Sequence, residues 1–409
     1  MQERELICAT IEAVSSMEAA DSVGISRREG GRKINRCWRN EKESFRRIAR
    51  WSIALNALVA LIMGTFSMAA CSANAGNASP LVQIPQDEAP HHDETEWWYF
   101  SGHLRGFDIS GKPHAYGYEL VFFQFNFSNQ PMPLYQGNLA VTDLTAGSFR
   151  YEQKIIAQPI PDEKNRFKLT ISQWHMEGSR GSDLLVAKFS DGSYGIRLEQ
   201  TSLEPVVLHG DNGLIPYGSF GTSFYYSWTK LWTLGTVIDH GVPVAVIGES
   251  WMDHQWYNPL GLGGWTWFSI QLSNNTQYML YFILDDQNHP AQVVATQVKD
   301  GCIIHLPPSS VSEMPIGSWT SPVTGITYPS GWTVTVPGGV LNVTPLQKDQ
   351  ELVVAASLAG AYWEGDSVVS GVIDGQPVRG KSYAEVAPVP VPGGTPLPPP
   401  IGGEQQRTP

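Results

Sequence analysis

Between Leu81 and Val386 the chain is a succession of short apolar runs, rich in aromatic and β-branched residues and bounded by Gly, Asn, Asp or Pro. Stretches with a helical apolar period are scarce there, and this most narrows what the chain can fold into. Tyr116 to Phe127, Leu184 to Phe189, Trp265 to Leu272 and Gln277 to Leu284 are the clearest strands. Asp191-Gly192, Asn274-Asn275 and Asp374-Gly375 sit between such runs, and these residue types accept the positive φ of tight hairpins. A parallel sheet would need helical crossovers, which the pattern lacks. The expectation is therefore an all-β, antiparallel fold whose sheets close or stack to hide their edges. A chain of 409 residues divides more naturally into two domains than one. We place them at residues 80–247 and 248–387.

The two ends read differently. Arg46, Arg47 and Arg50 precede an apolar run from Ile53 to Ala70, the pattern of an export signal, so residues 51–78 are expected to direct the chain to the bacterial cell envelope. Met68-Ala69-Ala70 before Cys71 has the form of a lipoprotein cleavage site, with Cys71 as the lipidated residue and a membrane anchor as the result. A cut after Ala73-Asn74-Ala75, or an uncleaved anchor, are the alternatives. Residues 1–50 form a polar extension longer than export requires. Residues 388–409 are rich in Pro and Gly and read as an extended tail. The net charge of -12 comes entirely from the residues after the net basic first fifty, and it would repel phosphate backbones, so nucleic acid is not an expected partner. Cys302 is the one cysteine of the body, which rules out a cysteine-based metal site there.

Three blocks carry chemistry. The first runs His91-His92-Asp93-Glu94-Thr95-Glu96-Trp97-Trp98-Tyr99-Phe100. The second is Trp251-Met252-Asp253-His254-Gln255-Trp256, followed by Trp265-Thr266-Trp267-Phe268. The third is Tyr362-Trp363-Glu364-Gly365, followed by Gly380 to Glu385. In these blocks, and in their order, the chain resembles the AttH and carotenoid 1,2-hydratase-like proteins, which include hydroxyneurosporene synthase. The resemblance spans roughly residues 85 to 386. It implies two consecutive lipocalin-like β-barrel domains and, in some relatives, addition of water to a double bond of an acyclic carotenoid. It also implies a His-x-Trp pair at His254 and Trp256 and a Tyr at Tyr281. The acid expected two residues beyond that Tyr is replaced by Ile283, which cannot donate a proton.

Protonating an alkene requires an acid, a surface that tolerates a carbocation and, for hydration, a water. Aromatic faces stabilise cations by roughly 0.5 to 2 kcal/mol each. The expected catalytic set is therefore Asp253, His254, Tyr281 and Asp285, although the polar run Asp286-Gln287-Asn288-His289-Pro290 after Asp285 favours a strand end in water for that residue. The expected ligand contacts are Trp97, Trp98, Tyr99, Trp251, Trp256, Trp265, Trp267, Tyr362 and Trp363, although Trp packs the core of many β folds without touching a ligand. Alternation along a strand puts His254 and Trp256 on one face and Trp251 and Asp253 on the other, so one pair at most lines a given cavity. Glu96 and Glu364 could be buried acids. His91, His92 and Asp93 lack further ligands at a telling spacing, so neither metal nor organic cofactor is expected. Two functions remain open: an enzyme acting by general acid chemistry on an isoprenoid-like lipid, or a carrier that only binds one.

Overall fold

The computed structural model describes residues 80–387, apart from 129, 218–220, 258–263, 286 and 355–359. The expectations for residues 1–50, for the 51–78 signal segment with Cys71 and for the 388–409 tail lie outside the described residues. Among the described residues no helix is long and apolar enough to cross a membrane.

Regular structure there is strand, apart from short turns of 3-10 helix such as Gln86–Glu88. The strands form two large antiparallel sheets that follow one another along the chain, one 12-stranded and one 10-stranded. Both curl in the lipocalin-like manner. In the first, the edge strand Ser148–Ala157 is drawn towards the far end of the sheet. Arg150 meets Asp191 at 2.9 Å, and the Lys154 ammonium lies 5.0 Å from the centre of the Trp174 ring. The strand Val242–Tyr257 belongs wholly to this first sheet, which therefore runs past residue 247. The hairpin at Asp374-Gly375 has positive φ at both residues, 51° and 74°, as their side chains permit.

Each sheet encloses its own apolar core. Trp98, Phe100, Leu120, Phe122, Met252 and Trp256 belong to the first. Phe268, Leu280, Phe282, Trp332 and Trp363 belong to the second. A third core, with Tyr99, Val121, Tyr225, Trp251, Trp267 and Tyr281, forms where the outer faces of the sheets meet. The central strands are therefore buried on both sides. Thr276–Leu284 is buried at every position, where an ordinary antiparallel strand would wet alternate residues. Hydrogen bonds cross the same junction: Tyr99 donates to Glu364 Oε1 at 2.7 Å, Gln271 to the Thr229 carbonyl at 2.8 Å, and His103 Nδ1 lies 2.8 Å from Asp366 Oδ1.

Candidate functional site

Strand pairing unites blocks that are far apart in sequence. Thr95–Asp108 pairs with Val242–Tyr257, setting Trp97 opposite Gln255, Trp98 opposite His254 and Tyr99 opposite Asp253. In the second sheet Gly264–Leu272 pairs with Gln376–Ala387, setting Trp267 opposite Glu385, and Glu364 faces Glu385 from the other side. Apart from His91 to Glu94, which precede the first strand, the motif blocks thus occupy central strands.

Where the outer faces of these strands meet, they leave a cleft of about 760 Å³ of empty space, open mouth included. Trp97, Phe123, Trp265, Trp267 and Tyr281 supply aromatic wall, and Tyr99 and Tyr362 add hydroxyls. The acids in the wall are Glu119, Asp253 and Glu385, and among the described residues no Lys, Arg or His lines it.

Those carboxyls are buried without a neutralising cation, so burial raises their proton affinity. Asp253 is pushed up to about 7 from 3.8, although hydrogen bonds from Ser227, Trp251 and Tyr225 pull the other way. Tyr225 donates to Asp253 Oδ2 at 2.9 Å, Trp251 Nε1 to Oδ1 at 2.7 Å, and Ser227 also to Oδ1. Burial carries Glu385 to about 8, opposed by a hydrogen bond from Trp265 and assisted by the charge of Asp253. Glu119 and Glu364 are both held well above the carboxylate range, by burial first and then by neighbouring acids. Each has one oxygen engaged: Tyr362 donates to Glu119 Oε1 at 2.8 Å, and Tyr99 to Glu364 Oε1. Among the described residues the other oxygen of each, Oε2, has no hydrogen-bond partner. Tyr362 is itself held in place by Asn138, whose amide donates to its hydroxyl at 2.9 Å.

The opposite face of the same strand pair carries a different arrangement. Glu96 Oε1 lies 2.7 Å from both His91 Nδ1 and His254 Nε2. His254 Nδ1 meets the Tyr226 hydroxyl at 3.1 Å. Burial acts to raise Glu96, but hydrogen bonds from His254 and His91 outweigh it and hold the group below its usual value. Trp98 stacks on His254 at 4.7 Å, and Trp256 on His91 at 4.2 Å.

The structure thus brings Asp253 and Tyr281 to one cleft, together with Trp97, Tyr99, Trp265, Trp267 and Tyr362. Trp251 packs behind Asp253 in the same core. It does not bring His254 there, nor Trp98, Trp256 and Trp363, whose side chains pack inside the barrels. Asp285 is also elsewhere. A register shift between Ile283 and Leu284 ends the alternation before it, and its carboxylate accepts the Gln287 and His289 backbone N–H groups of an exposed turn, both at 2.9 Å. Those two bonds hold it below the ordinary value. Ile283, at the position where the carotenoid hydratases place an acid, is buried in the shared core. Sequence reasoning missed Glu119 as a site residue and quoted Glu385 only within a block. The signal was available in both: a single carboxylate flanked by apolar neighbours, Tyr118 and Leu120 in one case, Ala384 and Val386 in the other.

Residues 75–388 match the family model described as AttH-like. Among solved structures, the chain is similar to a putative AttH protein from Nitrosomonas europaea, at 27% identity over 76% of this chain and 99% of that one, with a TM-score of 0.65. It is also similar to kievitone hydratase from Nectria haematococca, at 18% identity over 78% of this chain and 96% of that one, with a TM-score of 0.61. At that identity the likeness is one of fold. No curated protein matches the sequence.

Proposed function

The chain belongs to the AttH-like family, and we propose that in this member the cleft binds an apolar, isoprenoid-like lipid and protonates one of its double bonds. The observation that carries this reading is an aromatic cleft whose acids are buried, without a cation among the described lining residues, and poised to hold protons near neutral pH. A buried carboxylic acid is a neutral proton donor that an apolar ligand does not have to desolvate as a charge. In the forward step an O–H proton of Asp253, Glu119 or Glu385 passes to an alkene carbon, leaving a carboxylate and a cation on the neighbouring carbon. The faces of Trp97, Trp265 and Trp267 are suited to that cation. If a second carboxylate takes a proton from an incoming water, the product is an alcohol. If the carboxylate instead removes a proton from the adjacent carbon, the double bond has moved. Ile283 removes the acid of the carotenoid hydratase pattern, and the acids of the other strands stand in for it.

A carrier is the alternative, but binding alone gives no reason to bury several unpaired carboxyls, each of which costs stability when it ionises. The N-terminal apolar run and Cys71 support a place in the bacterial envelope, with an anchor in the membrane from which a lipid substrate would be drawn.

Native mass spectrometry of the full chain purified from its host, with lipid extraction, tests the binding step. Incubation of the extracted lipid in isotopically labelled water tests the chemistry. A stoichiometric isoprenoid that gains label from solvent is the expected result. A bound lipid that never exchanges or adds solvent atoms would leave a carrier, and a cleft that takes up no isoprenoid would overturn the reading.

A further inference from the structure

The Glu96 cluster sits on the barrel side of the strand pair and plays no part in the cleft chemistry. We propose that His91, Glu96 and His254 form a three-ligand site for a divalent transition-metal ion of the Zn²⁺ type. Their ligand atoms lie within 4.8 Å of one another, and Glu96 Oε1 is already 2.7 Å from a nitrogen of each histidine. An ion with bonds of about 2.0–2.2 Å to such atoms would need only small outward shifts of the three side chains.

The surroundings have the form of a metal site's outer shell. Ligating histidines ordinarily present their second ring nitrogen to an oxygen that fixes ring orientation. His254 presents Nδ1 to the Tyr226 hydroxyl at 3.1 Å, which can donate or accept. His91 Nε2 lies 3.7 Å from Asp87 Oδ1, an ion-pair contact longer than a hydrogen bond. Glu96 Oε2 accepts the His91 backbone N–H at 2.8 Å and the Gln124 amide at 3.2 Å, which leaves Oε1 to point between the rings. Trp98 and Trp256 clamp the two imidazoles from their faces. Two nitrogens and one carboxylate oxygen favour a borderline transition ion over Ca²⁺ or Mg²⁺, which take oxygen ligands. His91 is only partly buried, so the loop it occupies offers an entry path and a fourth position for water. The ion would tie the segment before the first strand to the Val242–Tyr257 strand. Its role is structural, on the far side of the ladder from the acids.

The test is metal binding by the full-length protein after exhaustive chelation, with Zn²⁺ as titrant in calorimetry and Co²⁺ as a spectroscopic reporter. One ion per chain is expected, with visible Co²⁺ bands of a four- or five-coordinate nitrogen and oxygen site. Removing the outer-shell hydroxyl by Tyr226→Phe should weaken binding by about 10-fold. His91→Ala, which alters a loop residue and leaves the buried strands intact, should weaken it by roughly 100-fold or more, whereas the exposed neighbour variant His92→Ala should bind as the parent does. Failure of the chelated protein to take up stoichiometric Zn²⁺ overturns the site. So does undiminished binding by His91→Ala, which would place the ion elsewhere.

Discussion

Asp253 and His254 are adjacent in one strand, yet each faces a different chemistry, because alternate residues of that strand serve different cores. On the cleft face, Asp253 is surrounded by neutral donors and its proton affinity rises. On the barrel face, Glu96 lies between two imidazoles and its proton affinity falls. Both carboxyls are buried. The difference shows that burial alone does not set the direction of a shift; the charge available to the carboxylate does. One ladder therefore separates an acid whose proton affinity is raised from one whose proton affinity is lowered.

That contrast can be broken, and the largest effect should be on turnover. Asp253→Asn removes a proton donor while keeping size and some of the hydrogen bonds, and should slow protonation of the bound lipid by about 10²- to 10⁴-fold, with binding retained. Steady-state and single-turnover rates on the extracted lipid would show it; a rate within a few-fold of the parent would move the donor role to Glu119 or Glu385. Next comes stability on the other face. His254→Ala takes a partner from a fully buried carboxylate and should cost about 3–5 kcal/mol in chemical denaturation. A cost below about 1 kcal/mol would mean that Glu96 does not depend on the pairing.

The pH dependence sharpens the comparison further. The Asp253 carboxyl is raised in the folded state, from 3.8 to about 7, so its ionisation opposes folding. Its contribution is fully favourable below about pH 4, is lost as pH rises towards 7, and is constant above that, with an upper size of roughly 4 kcal/mol. Turnover should fall over the upper part of the same window as the donor loses its proton. In Asp253→Asn the stability change across that window should shrink, and an unaltered pH profile would assign it to Glu385 or Glu119. The smallest effect belongs to Asp285→Asn on its exposed turn: stability should stay within about 0.5 kcal/mol and turnover should not change. A loss of activity there would place the turn at the site after all.

The two-sheet, antiparallel architecture was legible because hairpin residues such as Asp374-Gly375 mark its turns and aromatic runs mark its strands. Alternation also sorted Asp253 from His254 correctly. It could not show which face would meet a ligand, since strands such as Thr276–Leu284 are buried on both sides and present no polar face to mark the outside. The cleft belongs to the outer faces of two sheets, a relation that no local pattern encodes. Asp285 lies in water at a strand end, as the polar run after it indicated, and the irregularity after Ile283 breaks the alternation that had made it a candidate acid. The cluster of His91, Glu96 and His254 was invisible for a simpler reason. Its ligands come from two segments joined only by the pairing of Thr95–Asp108 with Val242–Tyr257.

That same pairing governs when the protein can fold. The first strand receives its second neighbour only after the chain has been made as far as Tyr257, and Gly264–Leu272 likewise waits for Gln376–Ala387. Contacts so distant in sequence make closure slow and leave strand edges open meanwhile. The acids of the cleft are thus brought together only when Gln376–Ala387 joins its sheet, so a chain that stops short of that strand holds no assembled acid site, and a chaperone acting during synthesis would have its longest task at these two central seams.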